Sequence, residues 1–167
     1  MTFSESDQNS LQLQLPDQAA TERLAHALAG RAAAGDVIAL RGDLGAGKTT
    51  FARAYINALA PGQAEEVPSP TFTLVQLYQR APAPVWHFDL YRLEDPEEAF
   101  ELGIEEALAV DICLIEWPER LGALLPDDRL DLELRFAERD QARSAVLTGG
   151  SSWRARLAAL ANPQVPA

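Results

Sequence analysis

Lysine is all but missing from this chain: Lys48 is the single example, and the other thirteen basic residues are arginine. Asp and Glu number 25 against 14 Lys and Arg, a formal net charge of -11, so no basic face is expected on which DNA or RNA would bind unaided. If the protein serves nucleic-acid chemistry, something else must hold the nucleic acid. Cysteine is equally scarce. Cys113 has no partner for an internal disulfide, and its place in the run Ile112-Cys113-Leu114-Ile115 reads as a small buried hydrophobe rather than a reactive thiol. No stretch approaches the ~18 apolar residues of a membrane span. Met1 to Ser10 is polar and carries no secretory pattern. Neither membrane insertion nor export is expected, and the expected compartment is the cytoplasm.

What is present is globular: 47% apolar and 23% charged residues in 167, enough for one domain with a proper core. That domain is expected over residues 1–161, with 162–167 as a C-terminal tail. Its centre is Gly42-Asp43-Leu44-Gly45-Ala46-Gly47-Lys48-Thr49, which fits G-x-x-x-x-G-K-[ST] without a mismatch. A Gly-rich turn of this kind lets successive backbone N–H groups close around phosphates, with Lys48 reaching the β/γ-phosphates and the Thr49 hydroxyl ligating Mg²⁺. Leu44, Gly45, Ala46, Gly47, Lys48, Thr49 and Thr50 are therefore candidate nucleotide-binding residues. The alternative, a Gly-rich turn before an ordinary helix, is disfavoured by the flanks. Val37-Ile38-Ala39-Leu40 reads as a buried parallel strand, and Phe51, Ala52, Tyr55, Ile56 and Leu59 recur at helical spacing.

Around this core, Leu11, Leu13 and Leu15 alternate as a half-buried first strand. Pro16-Asp17 opens a helix to about Gly30, with Asp17 as N-cap, Leu24, Ala27 and Leu28 inward, and His26 at the surface. Thr71 to Tyr78 reads as a strand entered through Ser69-Pro70. Val85 to Arg92 is a strand with an acid at its end. Asp95 caps a helix begun by Pro96 and broken near Gly103, Asp111 to Glu116 is another apolar strand, and Leu130 to Phe136 pairs with Ser144 to Thr148 as a hairpin. Trp153 to Ala161 is a short helix. The expected class is α/β: a P-loop NTPase fold with a mainly parallel central sheet flanked by helices and an antiparallel hairpin near the C-terminus.

Mg²⁺ on ATP needs carboxylate help from a neighbouring strand, and two acids, Asp89 and Glu116, end apolar strands. In open parallel sheets ligands bind beyond those strand ends. Each acid taken singly also suits a loop or capping role; their joint presence favours function. Thr71 is either a switch residue sensing γ-phosphate and metal or a strand-starting hydroxyl. His87 shares the face of Asp89, either orienting a carboxylate or packed in the core, and Trp117 is a lid, a partner contact or core. No Asn precedes a Lys, so the Asn-Lys-x-Asp element of guanine-selective GTPases is missing and ATP is favoured.

Taken together, Pro16-Asp17 with Thr21, the loop through Thr50, Ser69-Pro70-Thr71-Phe72-Thr73-Leu74-Val75, His87-Phe88-Asp89-Leu90-Tyr91-Arg92-Leu93, Gly103-Ile104, Glu116-Trp117-Pro118-Glu119 and Leu125-Pro126 resemble the TsaE (YjeE) family from Leu15 to about Thr148. These are bacterial P-loop ATPases required for threonylcarbamoyladenosine modification of tRNA. The resemblance implies that residues 44–49 bind phosphates, that Thr49 and Glu116 hold Mg²⁺, and that Asp89 supports hydrolysis from the inner or outer metal shell. It implies Thr71 as a switch residue and Trp117 as the Trp beside the metal acid. The base would lie near Gln18 and near Arg139 to Asp140, although Asp17-Gln18 stands where the family carries an acidic pair. The implied partners are TsaB and TsaD, with tRNA engaged only through them and ATP hydrolysed, at low intrinsic activity, to sustain modification of adenosine 37. Two other functions fit parts of the pattern: a small-molecule kinase, and a nucleotide-sensing interaction module with negligible catalysis.

The loop itself generates a test. Lys48→Arg puts a planar fork where a compact ammonium is needed, and is expected to weaken ATP binding about tenfold or more, about 1.4 kcal/mol, by titration calorimetry; wild-type affinity would contradict the cradle.

Overall fold

The computed structural model describes residues 9–162, so residues 163–167 of the expected tail lie outside the described part. In chain order the elements are β1 (Ser10–Leu15), α1 (Gln18–Ala29), β2 (Val37–Arg41), α2 (Lys48–Ala58), β3 (Val75–Tyr78), β4 (Val85–Asp89), α3 (Ile104–Val110), β5 (Ile112–Glu116), β6 (Leu130–Phe136), β7 (Arg143–Gly149) and α4 (Arg154–Ala161). One seven-stranded sheet contains all the strands in the order β1-β7-β6-β2-β5-β4-β3. β2, β4, β5 and β6 run parallel at its centre, while β7 and β3 run antiparallel to their neighbours. β1 pairs antiparallel with β7 and so points the same way as the central strands.

Strand alternation divides the core into two layers. Ile38, Leu40, Ile112, Leu114 and Val85 face α1 and α2, where Leu24, Leu28, Phe51, Tyr55 and Ile56 are buried against them. Val37, Cys113, Ile115 and Phe88 face the opposite side and pack with Ile104, Ala107 and Leu121. Cys113 is fully buried, and burial pushes its thiol up to about 12, consistent with an inert packing role. His26 is exposed on α1. Asp17 caps that helix, its carboxylate accepting from the Ala20 N–H at 2.8 Å. No described helix is long and apolar enough to cross a membrane.

Three expected elements differ by more than a residue at an end or in helix type. The strand expected from Thr71 begins only at Val75: Leu74 adopts φ +67° and its N–H closes a turn onto the Pro70 carbonyl at 2.7 Å, so residues 71–73 fold over rather than extend. Polar alternation cannot distinguish such a turn from a strand. The strand expected to reach Arg92 ends at Asp89 because the Leu93 N–H turns back to Leu90. The Pro96 segment is a 3-10 helix, Pro96–Phe100, capped by Asp95 on the Glu97 N–H at 3.0 Å; Gly103 at φ +83° separates it from α3.

α4 is fastened by charge. Arg156 donates twice to Asp36, at 2.7 and 2.9 Å, with its guanidinium 3.6 Å from the centre of the Trp153 ring. The Asp36 carboxylate is nearly buried, so Arg156→Ala strands it without its cation. A loss of about 2–3 kcal/mol is expected in urea unfolding, and a loss within error of zero would show that Asp36 finds other solvation.

Candidate functional site

The 42–49 turn leaves β2 and enters α2 without a side-chain cap. Its course depends on glycine at two places. Gly42 has φ +142° and a Cβ there would sit 2.5 Å from the Leu134 carbonyl of β6, and Gly47 begins α2 at φ +111°; L side chains are strained at both positions. The Ala46 N–H closes onto the Asp43 carbonyl at 3.1 Å. Lys48 folds back over this turn. Its Nζ donates to the carbonyls of Gly42 (2.5 Å) and Asp43 (2.9 Å) and lies 4.3 Å from the centre of the Trp117 ring.

The acids arrive from the sheet. Glu116 ends β5 and is in register with Leu40 on one side and Asp89 on the other, so both carboxylates stand level with the turn and on the face of α2. Glu116, Asp89 and Lys48 are all 5% exposed or less. The Thr49 hydroxyl lies 3.0 and 3.1 Å from the two Glu116 oxygens. Behind it the buried His87 ring places Nε2 2.7 Å from Glu116 Oε2; a carboxylate only accepts, so this nitrogen carries the hydrogen. His87 Nδ1 is enclosed without a partner among the described residues. The sheet face shared with Asp89 thus gives His87 a different carboxylate to hold, on the adjacent strand. Asp89 is held by the Ser69 hydroxyl (2.5 Å), more weakly by Thr71 (3.4 Å), and by the Tyr91 N–H (3.1 Å).

These groups line one cleft of about 340 Å³, within the size range of small-ligand sites. Gly45, Gly47, Lys48, Thr49, Thr50, Thr71, Asp89, Glu116 and Trp117 all meet there, with Leu44 exposed at its lip. Ala46 is buried and offers only backbone. Gln18 and Asp140 are not brought to the cleft. Gln18 is hydrogen-bonded to Glu22 on the exposed side of α1, and Asp140 lends its carbonyl to Arg143 in the β6–β7 loop. Sequence reasoning missed Ser69 and Tyr91 as cleft residues. Ser69 stands two positions before Thr71, a spacing that returns side chains to one side of extended backbone; for Tyr91 the signal was only its nearness to Asp89. Burial pulls the Lys48 amine below its ordinary pKa, while Glu116, Asp89, Glu119 and Asp43 work to raise it.

Among the described residues no three His, Cys, Asp or Glu side chains converge on a metal position. One hydroxyl and one carboxylate, with a second acid nearby, instead suit Mg²⁺, which keeps several waters and takes phosphate oxygens as ligands.

The sheet order, the turn between β2 and α2 and the strand-end acids define an α/β protein of the P-loop class. Comparison with known proteins narrows this. The family model described as "Threonylcarbamoyl adenosine biosynthesis protein TsaE" matches residues 15–145. The protein named tRNA threonylcarbamoyladenosine biosynthesis protein TsaE in Bacillus subtilis is 39% identical over 134 residues, 80% of this chain and 82% of its own length. The one of that name in Rickettsia felis is 39% identical over 137 residues, 82% and 80% respectively. The crystal structure of YdiB from Bacillus subtilis superposes with a TM-score of 0.74 at 27% identity, over 93% of this chain and 97% of that one. The chain belongs to the TsaE family.

The contact between Lys48 and Trp117 gives the cleft an optical reporter. Polyphosphate bound as the turn motif predicts would draw Lys48 off the indole face, so tryptophan emission is expected to change on titration with ATP or tripolyphosphate, and Trp117→Phe to abolish the change. A signal that survives in that variant would mean Trp86 or Trp153 reports instead.

Proposed function

We propose that this protein hydrolyses ATP with Mg²⁺ as an accessory subunit in tRNA threonylcarbamoyladenosine biosynthesis, in complex with TsaB and TsaD proteins. The observation that carries the reading is the convergence of Lys48 and Thr49 with Asp89 and Glu116 in one cleft. Membership of the TsaE family supports the pathway.

In this reading Lys48 exchanges its two carbonyl acceptors for the β- and γ-phosphate oxygens, with the surrounding acids working against the lowering of its pKa by burial. Thr49 and Glu116, with Asp89 beside them, would hold Mg²⁺, which when bound would supply positive charge against that developing on the phosphoryl group. His87 fixes the rotamer of Glu116 from behind. Asp89 orients the attacking water and accepts its hydrogen bond, and Thr71, two residues from Ser69 on a turned loop, moves with the γ-phosphate. Both Asp89 oxygens are engaged, by Ser69 and by the Tyr91 N–H, which supports low activity alone and faster turnover once a partner rearranges that loop. The net charge of -11 supports engagement of tRNA only through the partners. No observation favours the kinase reading.

The experiment is phosphate release by the purified chain with and without TsaB and TsaD, alongside tRNA modification. Lys48→Ala is expected to lose binding and turnover. Asp89→Asn is expected to keep ATP affinity within about threefold and to lose turnover by about a hundredfold or more, as removal of a water-orienting group does. Partner-independent absence of hydrolysis would defeat the proposal. Modification that persists in Asp89→Asn without turnover would show a nucleotide-sensing module instead.

A further inference from the structure

Arg143, the first residue of β7, turns all three of its guanidinium nitrogens to backbone carbonyls. Nε donates to the Ala46 carbonyl and one terminal nitrogen to the Gly45 carbonyl, both at 3.2 Å. The other terminal nitrogen donates to Asp140 and Ala142 carbonyls of its own hairpin loop, at 2.9 and 2.8 Å. The Phe136 ring lies beneath the guanidinium, 4.5 Å from its carbon. All four acceptors are uncharged carbonyls on two loops nearly a hundred residues apart in the chain. An arginine used this way fixes geometry.

Peptide planarity gives the consequence. Across a trans peptide the carbonyl of one residue and the N–H of the next point in opposite directions within one rigid plane. Holding the Gly45 and Ala46 carbonyls towards the hairpin therefore sets the directions of the Ala46 and Gly47 N–H groups. The first closes the turn onto Asp43, and the second belongs to a residue lining the cleft. Gly45 at φ +81° and Gly47 at φ +111° sit on flexible backbone that is free to swing without such a hold. Two successive carbonyls call for a rigid fork, which a lysine ammonium lacks.

We infer that Arg143 is a positioning residue for the phosphate-binding turn, acting through the Gly45 and Ala46 carbonyls and not by touching the ligand. The inference rests on the polyphosphate reading of the cleft. One side chain thereby ties the loop of the β6–β7 hairpin to the turn, so that neither shifts alone.

The test compares wild type, Arg143→Lys and Arg143→Ala for affinity towards ATP and towards inorganic tripolyphosphate by calorimetry, with urea unfolding of each. Arg143→Lys keeps the charge and removes the fork. It is expected to weaken both ligands by a similar factor, about tenfold, because the turn is common to both. Partial rescue of Arg143→Ala by added guanidinium ion, with no effect on wild type, is the further signature that a general loss of stability would not produce. Equal affinity of Arg143→Lys and wild type for both ligands overturns the inference. A loss confined to ATP also overturns it, since that places the side chain on the nucleoside. A wild-type chain that binds neither ligand overturns the functional reading itself, a result the variants do not mimic.

Discussion

The register in which β2, β5 and β4 lie side by side is the constraint on which the cleft depends. Leu40, Glu116 and Asp89 are lateral partners across three parallel strands, so the strand that feeds the Gly-rich turn ends level with two carboxylates. A slip of one residue in either pairing would turn a carboxylate to the other sheet face, into a layer filled by Phe88, Ile115 and Cys113. The apolar layers therefore enforce the site: Ile112 and Leu114 cannot leave the α2 face without taking Glu116 with them.

Charge at the cleft is balanced rather than accumulated. Burial pulls the Lys48 amine below its ordinary pKa while four acids work to raise it, and each of the two strand-end acids is in turn held by hydrogen-bond donors. Glu116 has Thr49 and His87, Asp89 has Ser69 and the Tyr91 amide. On the proposed reading such an arrangement would keep an acidic protein receptive to an anionic ligand, because the turn offers it N–H groups and the Lys48 amine. It also makes the Ser69–Thr71 loop the segment most directly tied to Asp89, and the hairpin arginine the side chain most directly tied to the turn. The two sides of the cleft are thus governed by different parts of the chain.

Much of this was legible in local pattern. The turn motif, the β-branched run before it and the helical spacing after it are contiguous, so sequence order and spatial order coincide there. Asp89 and Glu116 were legible because each ends an apolar run. Leu74 was not: a single positive-φ residue inside an alternating stretch leaves no periodic trace, and the strand there begins at Val75 rather than at Thr71. The base-side residues Gln18 and Asp140, inferred from resemblance, do not reach the cleft.

What the amino-acid order determined by itself is the chemistry on offer: one lysine, in a turn whose glycines permit it, and two acids at the ends of apolar strands. What only the tertiary structure decided is which group serves which. His87 shares a sheet face with Asp89 yet holds Glu116, and Arg143 reaches carbonyls 97 and 98 positions away. Pairings of that kind are set by strand order and by a hairpin's position beside a turn, and these follow from packing two apolar layers on one sheet rather than from any spacing along the chain.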